Sequence, residues 1–443
     1  MIYFFITNTG EALPIAKRLK EEGHQVTTYI HNRAFRSNYD GMIAKLEMRQ
    51  VVAQARQADL VVFDMVRPVE NKDDRALQKM FGVKGNDLFG PIADSLRGRG
   101  IDCLGAASFA GNIELDRDAG ADLAKKVGLG IPQAESFNSL AEGIRFLKSH
   151  RSSRWVFKPY ENQDLDLTYV ECFPGELIDL MGGQFKKRLP AGVDFLLQEV
   201  IDGVEISTEA WWTGKKWTWF NHTIEDKRLM TGDLGPRIGS ANNVVWLKHK
   251  KGLLVDVFER LTPVIKKAGY IGPIDVNCIV GSKDKRPYFL EWTPRFGYDA
   301  LYCLLELVDG KLSDFFGYVA GLTKKGPKAK PGYASSVRVS VSPYPYEVKE
   351  LLENAKDVVI GGDLTGLWLE DVYQDGKEIK CAGSDGVVGV LARHGNTLGG
   401  SVKNVYKQAE EVKIAGYAQW RTDLGFRARN ALKQLSDMNI VVD

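Results

Sequence analysis

Cysteine and histidine are scarce in this chain. Five cysteines (Cys103, Cys172, Cys278, Cys303 and Cys381) are scattered over 443 residues without a CxxC pair. That spacing excludes a zinc knuckle or a disulfide scaffold and fits a reducing cytosol. The six histidines fall at no metal-ligand spacing, so neither a His-based metal centre nor a Ser–His–Asp triad is expected. No apolar run is long enough to span a bilayer. Met1–Thr7 is strand-like and not the h-region of a signal peptide. A cytoplasmic protein with no membrane partner is the expectation. An excess of one charge is also missing: 59 Lys and Arg stand against 57 Asp and Glu, which gives no reason to expect nucleic acid. No internal repeat is visible at periods of roughly 20 to 50 residues.

What remains is an ordinary globular composition, 44% apolar and 26% charged, long enough for two to four domains. The fold class expected is α/β with α+β elements. Residues 1–110 alternate strand and helix. Strands are predicted at Ile2–Ile6, Gln25–Ile30, Leu60–Phe63 and Asp102–Leu104, with helices at Ala12–Glu22, Met42–Ala58 and around Ile92–Arg97. That order predicts a Rossmann-like parallel sheet with right-handed crossovers. A nucleotide could sit at its strand ends. Only TNTGEA follows the first strand, however, so a dinucleotide fingerprint is absent.

Residues 111–190 form a second segment, with helices over Asp116–Val127 and Leu140–Ser149 and a strand over Trp155–Lys158. Lys158 at that strand end reads as a solvated charge or as a point charge for nucleotide phosphates. Residues 191–325 are denser. A strand over Phe195–Val200 carries Gln198 and Glu199. A second, Gly203–Ala210, alternates so that Glu205, Ser207 and Glu209 share a face. Trp211–Trp219 turns at Gly214 as a hairpin, its tryptophans serving as packing. Ile224–Gly239 (IEDKRLMTGDLGPRIG) reads as a loop. Its Asp226, Lys227, Arg228, Asp233 and Arg237 are either plain surface charge or groups presented to a ligand. A helix is expected over Val255–Ala268. Residues 326–443 follow a basic Pro/Gly stretch, Lys324–Pro331, read as a boundary. They show short strands, helices near Gly400–Val412 and Phe426–Met438, and no catalytic constellation.

The most informative stretch is Gly272–Gly297, GPIDVNCIVGSKDKRPYFLEWTPRFG. Two strands, Ile274–Val280 and Tyr288–Trp292, flank a charged turn. If they pair, Asp275 and Glu291 point to one side, with oxygens of Asn277 and Thr293 nearby. Such a hard oxygen set suits Mg²⁺, which binds through one or two carboxylates plus substrate phosphates. Arg295 follows and can clamp a phosphate or carboxylate. The same residues on an exposed hairpin would be ordinary surface charge.

The order of several stretches resembles the ATP-grasp ligases, and among them the phosphoribosylamine–glycine ligase family. GLGIPQAESFNSLAEGIRFL, VFKPYE, LLQEVIDGVEISTEAW, DKRLMTGDLGPRIG and FLEWTPRFGYD match that family's segments in order, and SDGVVGVLARHGNTL with YAQWRTDLGFRAR matches its close. The resemblance implies an N-terminal pre-ATP-grasp domain (1–110), a lid subdomain with lead-in helices (111–190), a central ATP-grasp domain (191–325) and a small β-rich C-terminal domain (326–443). It implies ATP and Mg²⁺ as cofactors, a place in purine biosynthesis, and small-molecule substrates: glycine or another carboxylate, and an amine such as phosphoribosylamine. Lys158 would contact ATP phosphates. Gln198, Glu199 and Val200 would form the adenine hinge. Glu205 would reach the ribose or the metal, and Lys227 would also face the nucleotide. Glu291, with Asp275 and Thr293, would hold the metal. Asp233, Arg237 and Arg295 would face the acid and amine.

The departures from that pattern are local. The glycine-rich phosphate loop is replaced by PYENQDLDLTY, with the acidic run Glu161–Asp166. Arg117 stands one place from an expected lysine. The substrate loop reads GPRIGSANN. Thr293 replaces an asparagine, and GYDA replaces GDPE. Two functions are therefore expected to compete. One is an ADP-forming carboxylate–amine ligase working through an acyl phosphate, with an altered acid or amine. The other is a non-catalytic nucleotide-binding relative on the same scaffold.

Overall fold

The computed structural model describes residues 1–159, 168–189, 192–247, 254–346, 348–414 and 418–440. The acidic run Glu161–Asp166 lies outside the described residues. The chain forms two compact units. The first comprises Met1–Leu123, Glu205–Asn277 and Leu290–Asp443, and the second Ala124–Val204 with Cys278–Phe289.

The first unit begins with a parallel sheet of β1 (Ile2–Thr7), β2 (Gln25–Ile30), β3 (Ala44–Lys45), β4 (Leu60–Phe63) and β5 (Cys103–Leu104), in the order β3-β2-β1-β4-β5. The short apolar runs that predict these strands are buried. Phe4, Ile6, Val61 and Phe63 pack with Leu77, Phe89 and Ile92 of the crossover segments. Pro14 opens the helix Leu13–Glu21, where a missing N–H costs nothing. The helix expected over Met42–Ala58 is a correction. Ala44 and Lys45 pair with Thr27 and Thr28 of β2. A capping box between Glu47 and Gln50 then starts a 3₁₀ turn that leads into a helix of only Val51–Ala55. Sheet pairing captures residues that helical periodicity alone would extend through.

The second unit has its own four-stranded sheet: β6 (Ala134–Phe137), β7 (Trp155–Pro159), β8 (Tyr169–Val170) and β9 (Phe195–Glu199), in the order β6-β9-β7-β8. Its core joins Trp155, Phe157, Phe195 and Leu197 to Leu147, Leu177 and Met181. The helix Leu140–Ser149 has the predicted bounds.

The large sheet contains β10 (Gly203–Trp212), β11 (Trp217–Met230), β12 (Leu234–Leu247), β13 (Gly272–Gly281) and β14 (Pro287–Thr293). Further along the chain come a ribbon of β15 (Val308–Asp309) and β16 (Lys328–Ala329), then β17 (Tyr333–Val341), β18 (Val359–Gly362), β19 (Leu367–Leu369), β20 (Val372–Asp375), β21 (Glu378–Cys381), β22 (Val387–Gly395), β23 (Val412–Ile414) and β24 (Ala418–Gln419). The large sheet runs β14-β13-β10-β11-β12-β17-β22-β19, with β24 on β17, while β20-β21-β18-β23 form a separate small sheet.

The stretch Ile224–Gly239, expected to be a loop, is instead the paired half of a long hairpin. Glu225 faces Asn243, Asp226 faces Asn242, and Arg228 faces Arg237 across β11 and β12. Only Thr231–Asp233 turn the chain, with Gly232 and Asp233 both at positive φ. Charges and glycines mimicked a loop, but the register irregularities after Asp226 and Arg228 absorb the extra residues as bulges.

Candidate functional site

Period-two alternation places one row of polar side chains on a single face of the large sheet. Strand β10 supplies Glu205, Ser207 and Glu209. Strand β13 supplies Asp275 and Asn277, β11 supplies Glu225 and Lys227, and β14 supplies Glu291. Lys227 is their hub. Its Nζ lies 2.9 Å from Glu205 Oε1, 3.5 Å from Glu291 Oε1 and 4.0 Å from Glu225 Oε2. Glu205 also accepts a hydrogen bond from Asn277 Nδ2 at 3.0 Å and one from Arg427 Nη2 at 3.1 Å. Asn277 Nδ2 reaches Glu291 Oε1 at 3.5 Å. Asp275 accepts from Ser207 Oγ at 3.1 Å.

The charges on this face separate by environment. Burial works against the charge of Glu205, but Lys227 and Arg427, with hydrogen bonds from Lys227 and Asn277, hold its pKa down to about 2. Burial pushes Glu209 up to about 7, although Asn221 and Trp211 donate to it. Burial likewise lifts Glu225 to about 7. Burial, then Glu209 and Glu225, drive the Asp275 carboxyl well above its usual range. Lys227 stays charged against its own burial because Glu205, Glu291 and Glu225 surround it.

One atom on this face is left over. Asn277 Oδ1 is buried and has no hydrogen-bond partner. An orphaned amide oxygen next to the 60% exposed Glu291 side chain is a fit for Mg²⁺. That ion needs only one or two carboxylates when phosphates and water complete its octahedron. Among the described residues no group of three or more His, Cys, Asp and Glu side chains could hold a metal ion by itself. A metal here would therefore lean on substrate oxygens. Asp275 shares the face, where it accepts from Ser207 Oγ. Thr293 is the last residue of β14.

The other predicted residues are placed as follows. In the second unit, Lys158 Nζ donates to Gln198 Oε1 at 2.8 Å across β7 and β9. The hinge residues are tied into the same sheet: the Glu199 N–H donates to Gln133 O and the Val200 N–H to Arg154 O, both at 2.8 Å. Glu199 also accepts from Ser153 Oγ at 3.1 Å. In the first unit, Arg295 Nε donates to Glu114 Oε1 at 2.8 Å. Asp233, in the β11–β12 turn, lies 3.8 Å from Arg421. Arg237 is exposed on β12. That turn is pinned elsewhere, since the Gly232 N–H donates to Asp423 Oδ2 at 2.9 Å and Thr422 N–H to Thr231 Oγ1 at 3.1 Å. Sequence reasoning missed Arg427 and Glu225. Arg427 lies 222 positions from Glu205 and carried no local signal. Glu225 sits two residues before Lys227, so strand periodicity would have found it had the segment not been read as a loop.

No family model matches the chain. A crystal structure of biotin carboxylase from Campylobacter jejuni in complex with a β,γ-ATP ligand superposes with a TM-score of 0.60 at 13% identity, covering 99% of this chain and 97% of that one. The fold is that of the ATP-grasp enzymes. Within that class the chain resembles phosphoribosylamine–glycine ligase. The Thermotoga maritima structure of that enzyme matches with a TM-score of 0.68 at 18% identity, over 96% of this chain and all (100%) of that one. In sequence, phosphoribosylamine–glycine ligase from Leptospira interrogans is 23% identical over 355 residues, 77% of this chain and 81% of its own length. The same enzyme from Pseudomonas syringae is 22% identical over 372 residues, 77% of this chain and 80% of its own length. Among the described residues no helix is long and apolar enough to cross a membrane.

Proposed function

We propose that the chain is an ATP-dependent, ADP-forming carboxylate–amine ligase of the phosphoribosylamine–glycine ligase type, acting in the cytoplasm on small molecules, with an altered acid or amine. The observation that carries the reading is the buried, unpartnered Asn277 Oδ1 beside Glu291, on a sheet face where Lys227 also reaches Glu291. When bound, Mg²⁺ at Glu291 and Asn277 would neutralise charge on the nucleotide phosphates.

The work of the chain's own residues follows from their settings. Lys158, at the end of β7, presents a point charge to ATP phosphates while Gln198 steers its ammonium. Lys227 holds Glu205 and Glu291 in place, so that Glu205 stays ionised. Arg295 keeps its guanidinium oriented by Glu114 and can meet a substrate carboxylate. Asp233 and Arg237 are assigned to the acid and amine by the likeness of their stretch alone. In the reaction, the substrate carboxylate attacks the γ-phosphorus and ADP leaves, forming an acyl phosphate. The amine then attacks the acyl carbon, phosphate departs, the nitrogen gives up a proton and an amide remains. No covalent enzyme nucleophile is needed, in keeping with the missing triad.

A coupled ADP-release assay with Mg²⁺-ATP, freshly generated phosphoribosylamine and each amino acid in turn tests this. Turnover with glycine gives the activity of the named relatives, and turnover with a different acid keeps the ligase and moves the specificity. ATP binding with no ADP release for any of these acids would favour a different amine acceptor first and the non-catalytic relative second.

A further inference from the structure

The first unit holds a second polar cavity, of ≈ 190 Å³, that the nucleotide and metal assignments leave unused. Three carboxylates line it: Glu11 from the loop after β1, Glu370 just after β19, and Asp385 just before β22. Glu370 is only 8% exposed. Its Oε1 is buried without a hydrogen-bond partner, and so is Glu11 Oε2. Folding therefore leaves two acceptor oxygens in this chamber unmatched, where buried polar atoms are ordinarily paired.

Among the described lining residues the one cation is Arg338, and it is already committed; Arg295, whose charge also acts on Glu11, is held by Glu114. Arg338 grips Asp299 with two hydrogen bonds, Nη2 to Oδ1 at 2.6 Å and Nε to Oδ2 at 3.0 Å, and donates from Nη1 to the Tyr344 hydroxyl at 2.8 Å. Asp299 is fully buried. The Arg338–Asp299 pair is thus neutral as a unit, and the cavity is left acidic. Burial raises Glu370 far above the usual carboxylate range and lifts Asp385 to about 7, with Glu11 raised as well. A chamber that forces its acids towards the neutral form is short of a positive charge. The shortage does not suit a metal ion, because among the described residues no three such side chains are set closely enough to hold one.

We infer that this cavity binds a primary ammonium group of a small-molecule ligand, its N–H donors directed at the unpartnered Glu370 Oε1 and at the other acceptors of the wall. An ammonium offers three donors and no acceptor, which matches a wall of acceptors. A phosphate would meet three carboxylates and an arginine that Asp299 neutralises. Assigning the ammonium to a substrate rests on the ligase reading; the binding itself does not. The ligase would then take a substrate carrying a free ammonium in place of a phosphorylated sugar.

The test is calorimetric titration of the full chain without nucleotide, using 1,4-diaminobutane, tetramethylammonium and ribose 5-phosphate as probes. Expected is saturable binding of the diamine alone. Glu370→Gln and Asp385→Asn should each weaken it by roughly 10- to 100-fold, the worth of a hydrogen bond to a charged group, while keeping a cooperative thermal melt. Glu370→Gln should also melt no lower than the parent chain, because it removes a buried unpaired acid. Binding of ribose 5-phosphate in preference to the diamine would overturn the inference. So would equal affinity for tetramethylammonium, or a Glu370→Gln chain that binds the diamine normally. The two readings fail separately. Diamine binding lost in Glu370→Gln, with no ADP release for any acid–amine pair, supports the ammonium site and removes the ligase. ADP release that Glu370→Gln and Asp385→Asn leave unchanged keeps the ligase and removes the assignment of the ammonium to its substrate.

Discussion

Replacing Lys227 by Met tests the electrostatic hub directly. The side chain is 23% exposed, and its ammonium lies within 4.0 Å of Glu205, Glu225 and Glu291. At an effective dielectric near 20, a unit pair 2.9 Å apart has a gross attraction of about 6 kcal/mol. Desolvating Lys227 cancels much of that. Losing one partner of such a pair costs about 3–5 kcal/mol, mostly from the stranded charge. Three features favour the low end. Glu225 is already lifted to about 7 and can stay protonated. Glu291 is 60% exposed and solvent screens it. Glu205 keeps Arg427. The expected loss is about 3 kcal/mol, a fall in Tm of roughly 4 °C for a unit of this size. Scanning calorimetry of Lys227→Met, Glu205→Gln and the double variant reads it. The double variant should lose less than the sum of the singles by about 1 kcal/mol or more. A Tm within about 1 °C of the parent for Lys227→Met, or strict additivity, would refute the hub.

Glu291→Gln should abolish ADP release, by about 100-fold or more, while the far-ultraviolet spectrum and melt stay unchanged; near-normal turnover would remove its metal role. Lys158→Ala should raise the KM for ATP by about 10-fold, the worth of one exposed-to-part-buried charge contact, and an unchanged KM would return Lys158 to being a solvated lysine. Asp64, 1% exposed, has its pKa lifted by burial from 3.8 to about 7. Its folded pKa lies above its unfolded one, so the folded state holds the extra proton and stability falls as pH rises from about 4 to 7, by up to about 4 kcal/mol. Asp64→Asn should flatten the Tm profile between about pH 4 and pH 7, and parallel profiles would contradict the assignment. Gly105 has φ +74 and a Cβ there would sit 2.0 Å from Phe63 O. Gly105→Ala should therefore cost about 3 kcal/mol or more in urea unfolding, and a cost under about 1 kcal/mol would show that β4 and β5 can yield.

Local pattern determined much of this protein. Short apolar runs between turn residues defined β1, β2, β4 and the strands at Phe195, Gly203 and Gly272, because a buried strand needs little more than period and length. The helices Leu140–Ser149 and Val255–Ala268 followed from amphipathic periodicity. Alternation placed Glu205 beside Ser207 and Glu209, and Asp275 beside Asn277, each pair on one face. What the sequence could not decide was pairing. Whether DKRLMTGDLGPRIG was a loop or two strands depended on β11 and β12 pairing through irregular register, which a search for regular alternation between turn residues does not detect. The meeting of Lys227 with Glu205, Arg427 with Glu205, and Arg338 with Asp299 in the wall of the acidic cavity depended on strands and helices brought together from distant parts of the chain. Side-chain types and spacings are written in the sequence, but burial is a property of the folded whole. Burial, and the partners that folding brings beside each group, decide which carboxylates stay ionised, which are pushed to hold a proton, and which oxygen is left without a partner.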